Sequence, residues 1–421
     1  MSTSEGTDEL AEGRSRLAAS LRADGWAGAT VSEAFLAVPR HLFVPGEPAG
    51  RAYEDAAIVI KSDADGIPVS GSTRPALMAI MLEQLRLAGG HRVLEIGTGS
   101  GYNAALIARI VGDSGSVVTI DIDPDLVDQA GARLAAAGFP DVTVVCGDGV
   151  AGVPAHVPYD RIIVTAGVRD LAPQWLAQLR RDGRIVAPVS VRGIQLAVAF
   201  EDAGTHWVSR QACRCHFIRM TGPSAGVEAV VPLGPQPGPR ELVTDGAVPE
   251  AGPLYEALSG RPTYVLRASG LRVSGIAELA DLDLWLALTE PGLSRLNVTG
   301  GHGGQASHDQ QRTEGRMRLG GFARDDSAGR LGVAALAVPP GLTAGDRPFE
   351  VSVTGYGPGG APLAELLAER AIAWDALGRP GAGTLELAAH PAGTRPEATE
   401  GSVIIRRPNT VLVARWPAAA R

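Results

Sequence analysis

The sequence predicts an α/β fold, a doubly wound and mostly parallel sheet in the first half, with a C-terminal α+β extension. Three observations predict it. From His91 to about Pro188, short β-branched runs alternate with helical spacings, the pattern of a parallel sheet covered by helices on both faces. A glycine-rich turn, Gly97-Thr98-Gly99-Ser100-Gly101, leaves the apolar run Val93-Leu94 directly. At 421 residues the chain is long for one core, and much of its 54 glycines and 30 prolines falls after Gly222.

In chain order, Leu17 to Leu36 has helical apolar spacing broken at Gly25. Arg92–Ile96 reads as a strand, Tyr102–Val111 as a helix, Ser116–Asp121 as a strand and Pro124–Ala137 as a helix. Pro124 suits a first helical turn and Gly138 a helix end. Val142–Cys146, Arg161–Thr165 and Gly183–Val189 continue the strands, followed by Ile194–Phe200 and Trp207–Arg219. Ligands of such sheets bind outside the carboxyl ends of the strands. Gly97, Asp121, Asp148 and Ala166 all fall there, which predicts one shared site.

Thr221 to Pro253 is rich in Pro and Gly and lacks periodicity. The expected organisation is a first domain over residues 1–221, a linker over 222–253 and a C-terminal domain over 254–421. Within the last, Asp281-Leu282-Asp283-Leu284-Trp285-Leu286 alternates like a half-buried strand. Leu363, Leu366, Leu367, Arg370 and Trp374 follow helical spacing, with Pro362 at the start and Gly378 at the end.

A net charge of -8 weighs against a nucleic-acid partner. The polar, acidic N-terminus has no signal-peptide core, and no apolar run is long enough to span a bilayer. Three cysteines weigh against a disulfide framework, so the expectation is a cytoplasmic protein. Cys213-Arg214-Cys215-His216 has no second Cys pair after it, and no metal is predicted.

The loop spacing is G-x-G-x-G, since Tyr102 and Asn103 follow Gly101, and not the G-x-G-x-x-G of dinucleotide sites. It resembles the S-adenosylmethionine loop of Rossmann-like methyltransferases, which implies Glu95 near the charged amino-acid end of that cofactor. Leu17 to Thr221 as a whole resembles the protein-L-isoaspartate O-methyltransferases. The likeness rests on Ala34-Phe35-Leu36-Ala37-Val38-Pro39-Arg40-His41-Leu42-Phe43-Val44-Pro45, Tyr53-Glu54-Asp55 and Ser72-Thr73-Arg74-Pro75. It continues through the glycine loop, Gly147-Asp148-Gly149 and Tyr159-Asp160-Arg161-Ile162.

That resemblance implies methyl transfer from S-adenosylmethionine to an aspartyl-type carboxylate of a peptide or protein. It implies cofactor contacts from Glu95, Gly97, Thr98, Gly99, Ser100 and Gly101. Asp121 would take the ribose hydroxyls, Asp148 would lie near adenine with Gly149 allowing close approach, and Ile122 and Ala166 would complete the set. Thr73 stands where the family has a serine hydroxyl touching the reacting carboxyl, with Ser72 beside it, and Asp55 matches an acidic position near substrate. From the residues alone, Thr73 is equally a cap for the helix Pro75–Leu85, and pairing with a nearby arginine is the alternative for Asp55. Trp285 and Trp374 read as core, and His302 and His308 as loop residues.

Two departures stand out. Lys61-Ser62-Asp63-Ala64-Asp65-Gly66 lengthens the segment between Asp55 and Pro75, and the chain continues far beyond Thr221. Both resemble the bacterial branch that tailors ribosomally made peptides, including Val351–Gly357 and Ala373-Trp374-Asp375 in its extension. That branch implies esterification of a chosen aspartate in a precursor peptide, then aspartimide and isoaspartate. General repair of damaged proteins and a non-catalytic peptide-binding role are the alternatives.

Overall fold

The computed structural model describes residues 2–222, 229–233, 240–244, 250–259, 262–290, 294–296, 321–325, 331–337 and 348–417. Helices α1 (Ser2–Ala23) and α2 (Ala29–Ala37) flank the break expected at Gly25. A short α3 (Ala49–Ala52), the hairpin β1 (Ile58–Ser62) and β2 (Pro68–Ser72), and α4 (Pro75–Leu85) follow. The alternating core is β3 (Arg92–Ile96), α5 (Tyr102–Val111), β4 (Ser116–Asp121), α6 (Pro124–Ala136), β5 (Thr143–Cys146), β6 (Tyr159–Val164), α7 (Pro173–Gln178) and β7 (Leu179–Val191). Strands β8 (Ile194–Asp202) and β9 (Trp207–Arg214) complete the first half.

Strands β5, β4, β3, β6 and β7 are parallel neighbours in that order. Their side chains point into helices on both faces, hence the unbroken β-branched runs. After β7 the chain reverses in two residues, Arg192 and Gly193, with φ of 51° and 75°. Two positive φ values match the twist of the flanking strands, so β8 returns antiparallel, and β9 after it. The sheet is therefore mixed.

The second half holds β10 (Ala229–Leu233) and β11 (Arg240–Thr244), an antiparallel pair within the stretch expected as linker. Then come α8 (Ala251–Ser259), β12 (Tyr264–Val273), α9 (Ile276–Thr289), β13 (Ser294–Leu296), β14 (Gly321–Asp325), β15 (Leu331–Ala337), β16 (Phe349–Tyr356) and α10 (Gly360–Ala376). Strands β12, β16, β15, β14 and β13 form a five-stranded antiparallel sheet. The final strands β17 (Glu386–Pro391), β18 (Val403–Arg406) and β19 (Thr410–Arg415) leave that unit. They extend the N-terminal sheet to ten strands, Ala388 pairing with Val208 and Ala389 with Trp207 of β9. The free edge of β9 accepts them, a long-range pairing that no local pattern encodes.

One face of the large sheet is covered by α1, α2, α4 and α5, which bury Leu21, Phe35, Leu82 and Leu106. The other packs Trp175 of α7, and its hydrophobic cluster continues through Ala212 to Leu282 of α9 and Trp374 of α10. Trp285 and Trp374 are core residues, as read. The expected strand at Asp281–Leu286 is instead the middle of α9. That helix is buried nearly all round, so its apolar spacing carries no 3.6-residue signature. The apparent alternation comes from two acids with partners of their own. Asp281 accepts from the Ala382 amide (2.9 Å), and Asp283, fully buried, accepts from Arg214 of β9 (3.2 Å).

Asp283→Ala leaves the Arg214 guanidinium without that carboxylate at the seam between the two halves. It is expected to cost on the order of 3 kcal/mol, read as a lower denaturation midpoint in urea. Among the described residues no helix is long and apolar enough to cross a membrane. His302 and His308 lie outside the described residues.

Candidate active site

Strand order reverses at β3, with β4 on one side and β6 on the other. Such a switch point leaves a crevice at the carboxyl ends of the strands. There a cavity of about 230 Å³ opens. Of the residues expected to form a site, Ser72, Thr73, Glu95, Gly97, Thr98, Gly99, Ser100, Asp121, Ile122, Gly149 and Ala166 line it. Asp55, Gly101 and Asp148 are not part of its wall.

The glycines of the loop do different work. Gly97 has φ 102°, and a Cβ on it would lie 2.4 Å from the Thr165 hydroxyl. That hydroxyl donates to the Gly97 carbonyl (2.6 Å) and closes the floor between β3 and β6. A Cβ on Gly99 would meet the Gly71 carbonyl of the β1–β2 hairpin at 3.4 Å, so the hairpin lies over the loop. Gly101 turns its bare face to Ala130 and Leu134 of α6, at 3.3 and 3.4 Å from a Cβ. Its absence of side chain serves helix packing, not a ligand. Gly149 lines the cavity, yet a Cβ there would strike Ile96 at 2.7 Å, so the protein itself requires this glycine.

Two carboxylates face the cavity. Glu95 is fully buried and accepts from Asn103 Nδ2 and Thr119 Oγ1, each at 2.7 Å. Burial pushes its carboxyl up to about 7, against the pull of the Thr119 and Asn103 bonds, with Asp121 adding repulsion. Among the described residues its bonded partners are all neutral. Asp121 accepts from the Gly99 amide (3.0 Å) and the Asp123 amide (3.2 Å), which ties the glycine loop to the end of β4. Asp148 accepts from the Val150 amide (3.0 Å) and caps a short turn after β5.

At the opposite wall stand Ser72 and Thr73. Thr73 does not cap α4. The cap position is Arg74, whose side chain makes no cap bond, and the Ala76 amide donates to Asp55 (2.8 Å) from outside the helix. The other Asp55 oxygen accepts from Arg74 Nε (2.6 Å). The expected substrate-facing acid is thus engaged in holding Arg74 and the start of α4. Lys61, near the end of β1, reaches across to Asp123 (2.6 Å) and Asp125 (2.8 Å) at the start of α6. It pins the hairpin beside Asp121.

Several wall residues escaped the sequence reading. Phe217, Ile218, Arg219, Met220 and Thr221 return over the carboxyl end of β6, the Gly167 amide donating to the Ile218 carbonyl (2.8 Å). Thr165, Met78 and Met81 also line the cavity. Periodicity gives no sign of them, because their proximity comes from the crossing of distant segments. Cys213 is partly buried in β9, and burial pushes its thiol up to about 11.

Residues 12–225 match the sequence profile of the protein-L-isoaspartate(D-aspartate) O-methyltransferases (PCMT). The chain is 40% identical over 192 residues to a protein-L-isoaspartate O-methyltransferase of Methanococcoides burtonii, across 46% of this chain and 92% of that one. It is 38% identical over 195 residues to one of Thermotoga maritima, across 46% of this chain and 61% of that one. A solved structure of a protein-L-isoaspartate O-methyltransferase aligns over 89% of this chain and 96% of its own, with 25% identity and a TM-score of 0.49. With the profile spanning half of its length, over the half that builds the cavity, the chain belongs to the protein-L-isoaspartate(D-aspartate) O-methyltransferase family.

Proposed function

We propose that the protein esterifies one chosen aspartyl side chain of a ribosomally made precursor peptide, leading to aspartimide and then isoaspartate. At the coarser level it is an S-adenosylmethionine-dependent carboxyl O-methyltransferase of proteins or peptides. What supports the finer reading is the segment Lys61–Gly66 of the hairpin, longer than the resemblance leads one to expect, and the strand after it, which runs into Ser72 at the cavity wall. The extension after Thr221 supports it, since its last strands continue the same sheet.

The residues present fit the cofactor. A buried carboxylate with only neutral bonded partners, Glu95, suits the ammonium of an amino acid. Asp121 at the strand end suits hydroxyl donors, beside the partly exposed apolar Ile122. When bound, S-adenosylmethionine supplies an electrophilic methyl that passes to a carboxylate oxygen while the bonding electrons stay on sulfur. No proton has to move, so no strong base is needed. The chain's tasks are alignment and exclusion of water. Gly97 and Gly99 let the loop pack tightly against Thr165 and the β1–β2 hairpin, which covers it. Thr73 offers a hydroxyl to the incoming carboxylate.

Thr73→Ala is accordingly expected to lower kcat by on the order of tenfold while cofactor affinity stays within about twofold. Steady-state kinetics and calorimetry check this, and unchanged kcat removes Thr73 from the acceptor wall. The finer reading is tested by mass spectrometry of aspartyl and isoaspartyl peptides incubated with the protein and S-adenosylmethionine. Methyl gain followed by methanol loss on one aspartyl peptide is expected.

Equal activity on any isoaspartyl peptide, with aspartyl ones inert, sinks precursor tailoring and makes the protein a general repair enzyme. One observation favours that second reading. The Thermotoga relative is matched over only 61% of its length, so sequence outside the shared domain also occurs in a protein named protein-L-isoaspartate O-methyltransferase.

A further inference from the structure

Arg40, at the start of the short turn Arg40–Phe43, is completely buried. Its Nη1 donates to the carbonyls of Ala52 (3.2 Å) and Glu54 (3.1 Å). Its Nη2 donates to the Ala56 carbonyl (3.0 Å), the Ser72 hydroxyl (3.4 Å) and the Thr73 carbonyl (3.2 Å). All five acceptors are neutral. A guanidinium buried against neutral groups is costly, and burial lowers its proton affinity, with Tyr102 and the Asp55 carboxylate nearby pulling the other way. A charge kept under those terms calls for a reason beyond filling space.

The acceptors show what the charge holds. Three belong to residues 52–56 and two to Ser72 and Thr73, so the fork ties these two segments together. Asp55, inside the first segment, grips Arg74 and the Ala76 amide just beyond Thr73. The backbone of Thr73 is therefore clasped on both sides, by Arg40 at its carbonyl and by Asp55 one residue further. Ser72, Thr73 and Arg74 are the parts of this bracket that line the cavity.

We propose that Arg40 is a positioning residue: with Asp55 it brackets Ser72 and Thr73 so that their hydroxyls meet the methyl-accepting carboxylate in one fixed geometry. This rests on the reading of that wall as the acceptor end. A lysine keeps the charge but, with one nitrogen, cannot span the two segments.

The test measures kcat, the KM for an aspartyl or isoaspartyl peptide, and S-adenosylhomocysteine affinity by calorimetry, in Arg40→Lys, Thr73→Ala and the double variant. The Arg40→Lys variant should lose kcat by on the order of a hundredfold, as a displaced reacting group does, with affinity within about twofold. Adding Thr73→Ala should then cost little more, because the hydroxyl is already misplaced. Retained kcat, or kcat and affinity falling together, overturns the proposal. If Arg40→Lys does not fold, Ser72→Ala decides, since it removes one of the five acceptors at almost no change in volume. It should lower kcat without changing affinity, and an unaltered kcat overturns the bracket. Amide exchange provides a readout free of turnover. Residues 70–76 should lose protection in Arg40→Lys while residues 95–101 keep theirs, and unchanged exchange there refutes the bracket. A wild type that binds S-adenosylhomocysteine yet methylates no peptide refutes the functional reading instead, and the exchange result still decides the bracket.

Discussion

Glu95→Gln is expected to weaken S-adenosylmethionine binding at pH 8 by at least about tenfold, while raising the melting temperature of the cofactor-free protein. The two effects have one cause. Glu95 is fully buried with neutral partners, and its carboxyl titrates at about 7 instead of 4.5. Between those values the folded protein holds a proton that the unfolded chain releases. The contribution of this group to stability is therefore complete below pH 4.5 and is lost as pH rises through 7. Above that, the ionised carboxylate costs the cofactor-free fold on the order of 3 kcal/mol. Glutamine keeps the shape and cannot ionise, so its gain should appear at pH 8 and vanish near pH 4. Cofactor affinity runs the other way, because a cationic amino group favours the ionised form. Wild-type affinity should rise as pH crosses 7, and the glutamine variant should be flat. Calorimetry and thermal melts at pH 5 and 8 measure both. A variant that binds as tightly as wild type at pH 8 would show that Glu95 faces no cation.

The second large effect concerns Gly97→Ala. A Cβ at this position would sit 2.4 Å from the Thr165 oxygen, on a backbone with φ 102° that side chains rarely adopt. Relief by moving Thr165 breaks its bond to the Gly97 carbonyl, which joins the ends of β3 and β6. The expected result is a stability loss of roughly 2–4 kcal/mol together with cofactor affinity lowered by on the order of a hundredfold. Adding Thr165→Ala removes the clashing atom and should restore part of the melting temperature, the φ strain remaining. Gly101→Ala is the control. Its Cβ meets Ala130 and Leu134, so it should lower stability while the folded fraction still binds cofactor. Similar binding losses in both variants would mean that the two glycines serve one role after all.

How much of the site is written in the sequence depends on distance along the chain. The strands from Arg92 onward and the helices between them repeat with periods of two and 3.6 residues, and those periods are properties of the local backbone. A glycine loop after a strand, and acids at strand ends, inherit their position from the same rule. That is why Glu95, Gly97, Gly99, Asp121 and Ala166 reach one cavity wall as expected. Alternation misled at Asp281–Leu286 because α9 is buried on nearly every side, and its two acids owe their burial to Ala382 and Arg214.

By itself, then, the sequence determined the parallel half of the sheet, the loop at its carboxyl edge and the family to which both belong. Only the tertiary structure decided which members of that motif face the cavity. It turned Gly101 toward α6, gave Asp55 to Arg74 and the start of α4, and set Asp148 to cap the turn at Val150. It also joined β17 to β9 and gathered the Thr73 and Ser72 wall around Arg40. The physical reason is the same in each case. A side chain's direction follows from local geometry, but its partner is whatever distant segment packs in that direction, and packing is settled by the whole fold.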